Sequence, residues 1–297
     1  MGQRELMPFD DNYNRASGVG ASEMWSAYCW DEHLYYSKLG ARQSKEYVKP
    51  FTGNLATRLG QANEPDCLRE GAAIAGVTLL NTNDTTKTHK DHDWVFATAD
   101  ALAETEDGEV ATVEAKLVGL GQHLNWGHAE DGYDAIPNKV RAQVATQMAV
   151  EGTSLCYVFA NICGTDIRVY RLDRDHAWEK KLFERAETFW SWVVAEEGFP
   201  LGSGEATKRY LARKWETTTK TIREDASAAE LIQRQAALKE NKNAATIELD
   251  LASNQLRSCI GPDDGVVVPG VGKATFLFDR RGRRTLRVKL FEGSDEK

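Results

Sequence analysis

The stretch ATADALAETEDGEVATVEAKLV, residues 97–118, decides how this chain is read. Apolar and polar residues alternate on either side of Asp107-Gly108, a tight-turn dipeptide, which predicts a hairpin with strands at 94–103 and 110–118. Thr or Ser would serve a plain hairpin face, yet this one carries Asp100, Glu114 and Lys116. Side chains two apart on a strand share a face, so Glu114 and Lys116 point one way while Val113, Ala115 and Leu117 point into the opposite layer. On the partner strand Thr98, Asp100 and Leu102 share a face. A register that sets the two polar faces together brings Asp100, Glu114 and Lys116 within a few ångströms.

Two carboxylates forced together repel, and one takes up a proton unless a cation sits between them. A hard divalent ion, Mg²⁺ with Mn²⁺ as a substitute, suits such oxygen ligands. It would polarise a phosphodiester and lower the pKa of bound water, while Lys116 positions or deprotonates that water. The three residues therefore suit metal-dependent phosphodiester hydrolysis. They equally suit an exposed hairpin face with a cross-strand ion pair, and taken alone they leave both readings open.

Outward from the hairpin, GVGASEMWSAYCW (18–30) reads as a glycine-rich turn entering a helix, and 54–75 as a helix closed by Gly76. A short strand, VTLL, and a polar loop, 81–93, lead into the hairpin. Residues 119–135 read as an irregular connection, followed by a helix over 138–152, strands at 156–162 and 166–172, and a helix over 175–197 whose aromatics are core contacts. GFPLGSGEA (198–206) reads as a linker. Beyond it, 207–260 is polar and helical, with a weak heptad at Leu231, Leu238, Ala245 and Ala252 that suits a helical hairpin better than a coiled coil. Three strands close the chain around the basic turn DRRGRR (279–284), either a DNA-backbone contact or a solvated tip. This gives two domains, 1–200 and 201–297.

With 297 residues, 41% of them apolar, the chain can bury a full core. It has no apolar run long enough to span a membrane and no apolar leader at its start, which predicts a soluble, cytoplasmic protein. Five scattered cysteines without a C-x-x-C pair argue against a disulfide framework and a zinc or iron–sulfur site. The net charge of −8 argues against a surface coated in cations, though not against a local positive groove. HKDHDW (89–94) reads as a polar loop entering a strand rather than a transition-metal site. GVGASE lacks the lysine of a nucleotide phosphate loop.

Five pieces in order, GVGASEMW, RLGQANE, ATADAL, EAK and VRAQVATQMAVEG, resemble the YqaJ-like viral recombinase family, the lambda-type phage exonucleases of the PD-(D/E)XK nuclease superfamily. The resemblance covers about residues 14–197. One departure is that Thr98 and Ala99 stand where the family usually has Ser and Pro before the aspartate. The fold it implies is α/β (α+β): a restriction-endonuclease-like core, with a mixed central sheet flanked by helices in α-β-β-β-α-β order, plus a C-terminal helical and small β module. It also implies Asp100, Glu114 and the Ala115 carbonyl as metal ligands, Lys116 as the catalytic lysine, and Glu64 at a second metal. Arg15, Ser22, Thr98 and Gln143 would grip a terminal 5′-phosphate, although Ser22 also suits a helix N-cap. Gln143 and Gln147 lie four apart on one helix face, Gln143 being the active-site choice and Gln147 the surface one.

The activity so implied is Mg²⁺-dependent 5′-to-3′ digestion of one strand of linear duplex DNA from 5′-phosphorylated ends. A ring-shaped homotrimer and a single-strand annealing partner in phage-type recombination come with it. A metal-dependent endonuclease, a RecB- or Cas4-like nuclease and a non-catalytic DNA-end-binding protein on the same fold are the alternatives. Cys259 stands alone near the end, which counts against an iron–sulfur form.

Overall fold

The computed structural model describes residues 16–49, 53–82, 85–214, 222, 224–279 and 282–291. The chain forms two compact units, Met1–Thr217 and Thr218–Lys297.

In the first unit, β1 (Val19–Gly20) runs through a 3-10 turn, Ala21–Glu23, into α1 (Met24–Tyr28), followed by α2 (Glu32–Gln43) and α3 (Leu55–Ala75). Asn54 caps α3 by accepting from the Thr57 N–H at 3.0 Å, and Gly76 closes it at φ 67°, a left-handed position that glycine adopts without a Cβ clash. Then come β2 (Thr78–Thr82), β3 (Lys87–Thr88), β4 (Val95–Ala97), β5 (Ala101–Glu104) and β6 (Val110–Val118). Two 3-10 segments, His123–Asn125 and Ala129–Ala135, fill the irregular connection. The unit ends with α4 (Asn138–Glu151), β7 (Leu155–Ile162), β8 (Asp166–Asp173), α5 (His176–Ala195) and α6 (Glu205–Lys214).

The central sheet has the order β2-β5-β6-β7-β8, with β6 and β7 parallel and the other pairs antiparallel. On one face α3 packs Cys67, Leu68 and Ala72 against Ala101, Val113 and Phe159. The approach is close: a Cβ on Gly71 would stand 2.3 Å from the Phe159 ring. On the other face α4 packs Val140, Val144 and Met148 against Val158, Ala160 and Tyr170. The outer side of α4, at Ala142, Ala145 and Ala149, meets a third cluster built largely from α1, α2 and α5. As expected, Phe183, Phe189, Trp190 and Val193 of α5 are buried there. α4 is thus covered on both sides, and its polar side chains must find partners inside the protein.

Two expectations for this unit change. The strand expected over 94–103 is broken at Thr98–Asp100. Its first half, β4, pairs parallel with β1 and antiparallel with β3 in a separate small sheet, while β5 pairs with β6. The residues expected as a linker are packed: Phe199 stacks on Tyr35 with ring centroids 4.1 Å apart, and Glu32 accepts from the Gly204 N–H at 3.4 Å.

In the second unit, a 3-10 turn at Ala226–Ala228 leads into α7 (Ala229–Ile260). The helical hairpin expected over 207–260 is replaced by α6 in the first unit and this one continuous helix of 32 residues. No glycine or proline interrupts 229–260, so nothing in the chain forces a turn. The three expected strands are β9 (Gly265–Val268), β10 (Gly272–Phe278) and β11 (Arg284–Leu290), in the order β11-β10-β9.

Candidate active site

The register that pairs Ala101 with Val113 and Leu102 with Thr112 sets Asp100 against Glu114 one step further along. The Asp100 N–H donates to the Val113 carbonyl at 3.1 Å, and its carboxylate accepts from the Ala115 N–H at 2.8 Å. These bonds hold Asp100 against β6 where the chain leaves one sheet for the other. Thr98, on the far side of the break, is tied by its hydroxyl to that of Thr86 at 2.9 Å.

Glu114 is buried at 1% exposure. Its Oε1 accepts from the Lys116 ammonium and from the Gln143 amide at 2.7 Å; its Oε2 accepts from the Gln147 amide at 2.5 Å. The Gln147 amide also donates to the Thr98 carbonyl at 2.9 Å, so one carboxamide ties α4 to both strand ends. Its own Oε1 is buried and, among the described residues, accepts no hydrogen bond.

Burial holds Asp100 well above the ordinary carboxylate range. The Glu114 charge adds to this, and Lys116 offsets part of it. For Lys116 burial works against the ammonium, but the charges of Glu114 and Asp100 prevail and raise its pKa. Glu64, on α3 directly before Pro65, is close enough for its charge to act on both Asp100 and Lys116.

The charges of Glu114, Asp100 and Glu64 all act on the Lys116 ammonium, a set with an excess of negative charge that a divalent cation would balance. Among the described residues no three His, Cys, Asp or Glu side chains converge as a ready-made metal cage. A cation here would draw on Asp100, Glu114, the Ala115 backbone and Glu64, with Lys116 at its edge.

The remaining residues fall as follows. Gln143 and Thr98 both belong to this cluster, and Ser22 is exposed on the turn Ala21–Glu23. Gly20, not Ser22, is the N-cap of that turn, and its N–H donates to Glu23 at 3.1 Å. Glu23 in turn holds the buried Lys38 at 2.6 Å. Arg15 lies outside the described residues. Gln147, expected at the surface, is fully buried at Glu114. The signal was its spacing of four from Gln143, which puts both amides on one helix face. Leu117, expected to point inward, is 38% exposed.

His89 and His92 lie between β3 and β4. Each packs edge-on to Phe183, and the His89 Nδ1 accepts from the Asp91 N–H at 3.1 Å.

The succession α3-β2-β5-β6-α4-β7, with Asp100 and the Glu114/Lys116 pair where β5 and β6 begin to part, defines a PD-(D/E)XK restriction-endonuclease-like core. Within that class, residues 13–154 match the model of the YqaJ-like viral recombinase domain family. In structure the chain is similar to the alkaline exonuclease LHK-Exo from Laribacter hongkongensis. The LHK-Exo complex with dAMP has a TM-score of 0.50 and 19% identity over 67% of this chain and 94% of that one. A phage-related exonuclease from Haemophilus somnus follows at a TM-score of 0.47 and 12% identity, over 60% and 96% of the two chains. No curated protein matches the chain in sequence.

Proposed function

We propose that this protein digests one strand of linear duplex DNA in the 5′-to-3′ direction from 5′-phosphorylated ends, using Mg²⁺. The observation that carries the reading is the buried Glu114, fixed by Lys116, Gln143 and Gln147 beside an Asp100 of raised proton affinity. A structural ion pair needs no second, half-buried carboxylate, and desolvating one without a compensating cation is costly.

Asp100, Glu114, the Ala115 carbonyl and Glu64 are the residues to hold the metal. When bound, the metal supplies Lewis acidity to the scissile phosphate and lowers the pKa of bound water. Lys116 orients the attacking water and offsets charge developing on the phosphorane. Gln143, Thr98, Ser22 and Arg15 are assigned to the terminal phosphate, where a charge-assisted arginine contact with neutral donors suits a dianion. The match to the family supports, beyond this, a homotrimer and a single-strand annealing partner in phage-type recombination within the bacterial cytoplasm. Among the described residues no helix is long and apolar enough to cross a membrane.

The test is a time course with Mg²⁺ or EDTA on three DNAs: a 5′-phosphorylated linear duplex, the same duplex with 5′-hydroxyl ends, and a closed circle. Metal-dependent loss of the phosphorylated duplex first is the expected result. Cutting of the circle would make the protein an endonuclease, and digestion of none would leave a DNA-binding protein on a nuclease fold.

A further inference from the structure

The strands β9, β10 and β11 of the C-terminal unit contain no carboxylate, and four cations: Lys273, Arg284, Arg287 and Lys289. The register sorts them by face. Lys273 stands directly opposite Lys289, and Thr275 opposite Arg287. Residues two apart share a face, so Lys273, Arg287 and Lys289 lie together on one side of the sheet, and all three are exposed. Arg284 belongs to the other side and is engaged there. Its guanidinium donates to the carbonyls of Phe276 at 2.9 Å, Gly261 at 3.1 Å and Asp263 at 2.7 Å.

Like charges directly opposite one another in a ladder are destabilising. Here such a pair is kept, with a third cation beside it and no acid on the three strands, in a chain whose net charge is −8. Among the described residues neither Lys273 nor Arg287 forms a salt bridge. Arg287 and Lys289 are spaced by roughly 7 Å along the strand. That is about two phosphate steps, of about 3.4 Å each, along the axis of one strand of duplex DNA. The hydroxyls of Thr275 and Thr285 lie on the same face and add neutral donors for phosphate oxygens.

We propose that this sheet face is a second DNA-binding surface, one that takes the phosphate backbone of the duplex without reading its bases. It rests on the reading of the protein as a DNA-processing enzyme. It adds to that reading a contact outside the catalytic unit.

The test uses the full chain in EDTA, so that no hydrolysis enters the readout, with a labelled linear duplex and fluorescence anisotropy across a salt series. The K273A/R287A/K289A variant is expected to bind roughly tenfold more weakly at low salt, with the log–log salt slope flattened by about 2–3. The charge-preserving K273R/R287K/K289R variant should bind as wild type. K273E, which turns the like-charge pair into an opposite one with Lys289, should bind DNA more weakly while melting no lower than wild type. Affinity and slope unchanged in the triple alanine variant would overturn the proposal. If that variant instead loses binding to a polyglutamate probe, the face belongs to an acidic protein, which overturns it equally. Wild-type protein that binds duplex but digests none would sink the active-site reading and leave this surface standing.

Discussion

Glu114 is the residue on which the site turns, because a carboxylate at 1% exposure needs donors on both oxygens. Lys116 and Gln143 serve one oxygen and Gln147 the other. Lys116→Ala removes a partly exposed ammonium and leaves both amides in place, so it should abolish digestion while the fold survives. Glu114→Ala would strand two amides, which makes it the poorer probe. Gln147→Ala deprives the Glu114 Oε2 and the Thr98 carbonyl of one shared donor, and should cost about 1–3 kcal/mol of stability in urea denaturation. It should also weaken Mn²⁺ binding, followed by electron paramagnetic resonance, by about 10–100-fold, as loss of a group orienting a metal ligand does. Wild-type stability and Mn²⁺ affinity together would remove Gln147 from the site. The gathering of Asp100, Glu114 and Lys116 was legible because strand periodicity and a hairpin register together bring them to one face. The burial of Gln147 was not, because a spacing of four says that two side chains share a helix face but not what covers it. α4 is packed on both sides, a fact of tertiary structure.

Among the elements, most helices and strands follow from periodicity and caps, as with Asn54 and Gly76 around α3. The break between β4 and β5 does not, because alternation continues through Thr98–Asp100 while backbone bonding there passes to side chains and to another sheet. Nor was it legible that β3, only two residues long, stands in the polar loop before β4. That short hairpin carries His89, which is 7% exposed and whose pKa is lowered, first by burial and then by the neighbouring His92. The unfolded chain protonates such a histidine near pH 6.5, whereas the folded chain resists until lower pH. Between the two values the unfolded state binds more protons, so stability falls as pH drops below about 6.5. His89→Asn keeps an acceptor for the Asp91 N–H but does not titrate. Thermal melts between neutral and mildly acid pH should therefore lose part of their pH dependence in this variant. An unchanged slope would mean that His89 contributes nothing to acid sensitivity.

Across the whole molecule, burial is divided unequally. All three hydrophobic clusters draw on residues between Val19 and Ala206, within the first unit. Among the described residues of the second unit, Ile260, Gly272 and Ala274 are the buried ones, and α7 leaves Leu231, Leu238, Ile247 and Leu249 exposed. A change of texture near residue 200 was visible in the sequence. The place where packing ends was not, because Phe199 and Thr207 reach back onto α2 through contacts that no local pattern encodes. Since burial of apolar surface is the main term opposing chain entropy, the two units should differ in their ability to fold alone. A chain of residues 1–217 should unfold in one cooperative transition with the near-ultraviolet circular dichroism of a fixed aromatic core. Residues 218–297 alone should be helical in the far ultraviolet but show no sharp melt. A cooperative melt in the isolated 218–297 chain would mean that unit holds a core of its own. A 1–217 chain without a cooperative transition would mean that the catalytic unit depends on the residues that follow it.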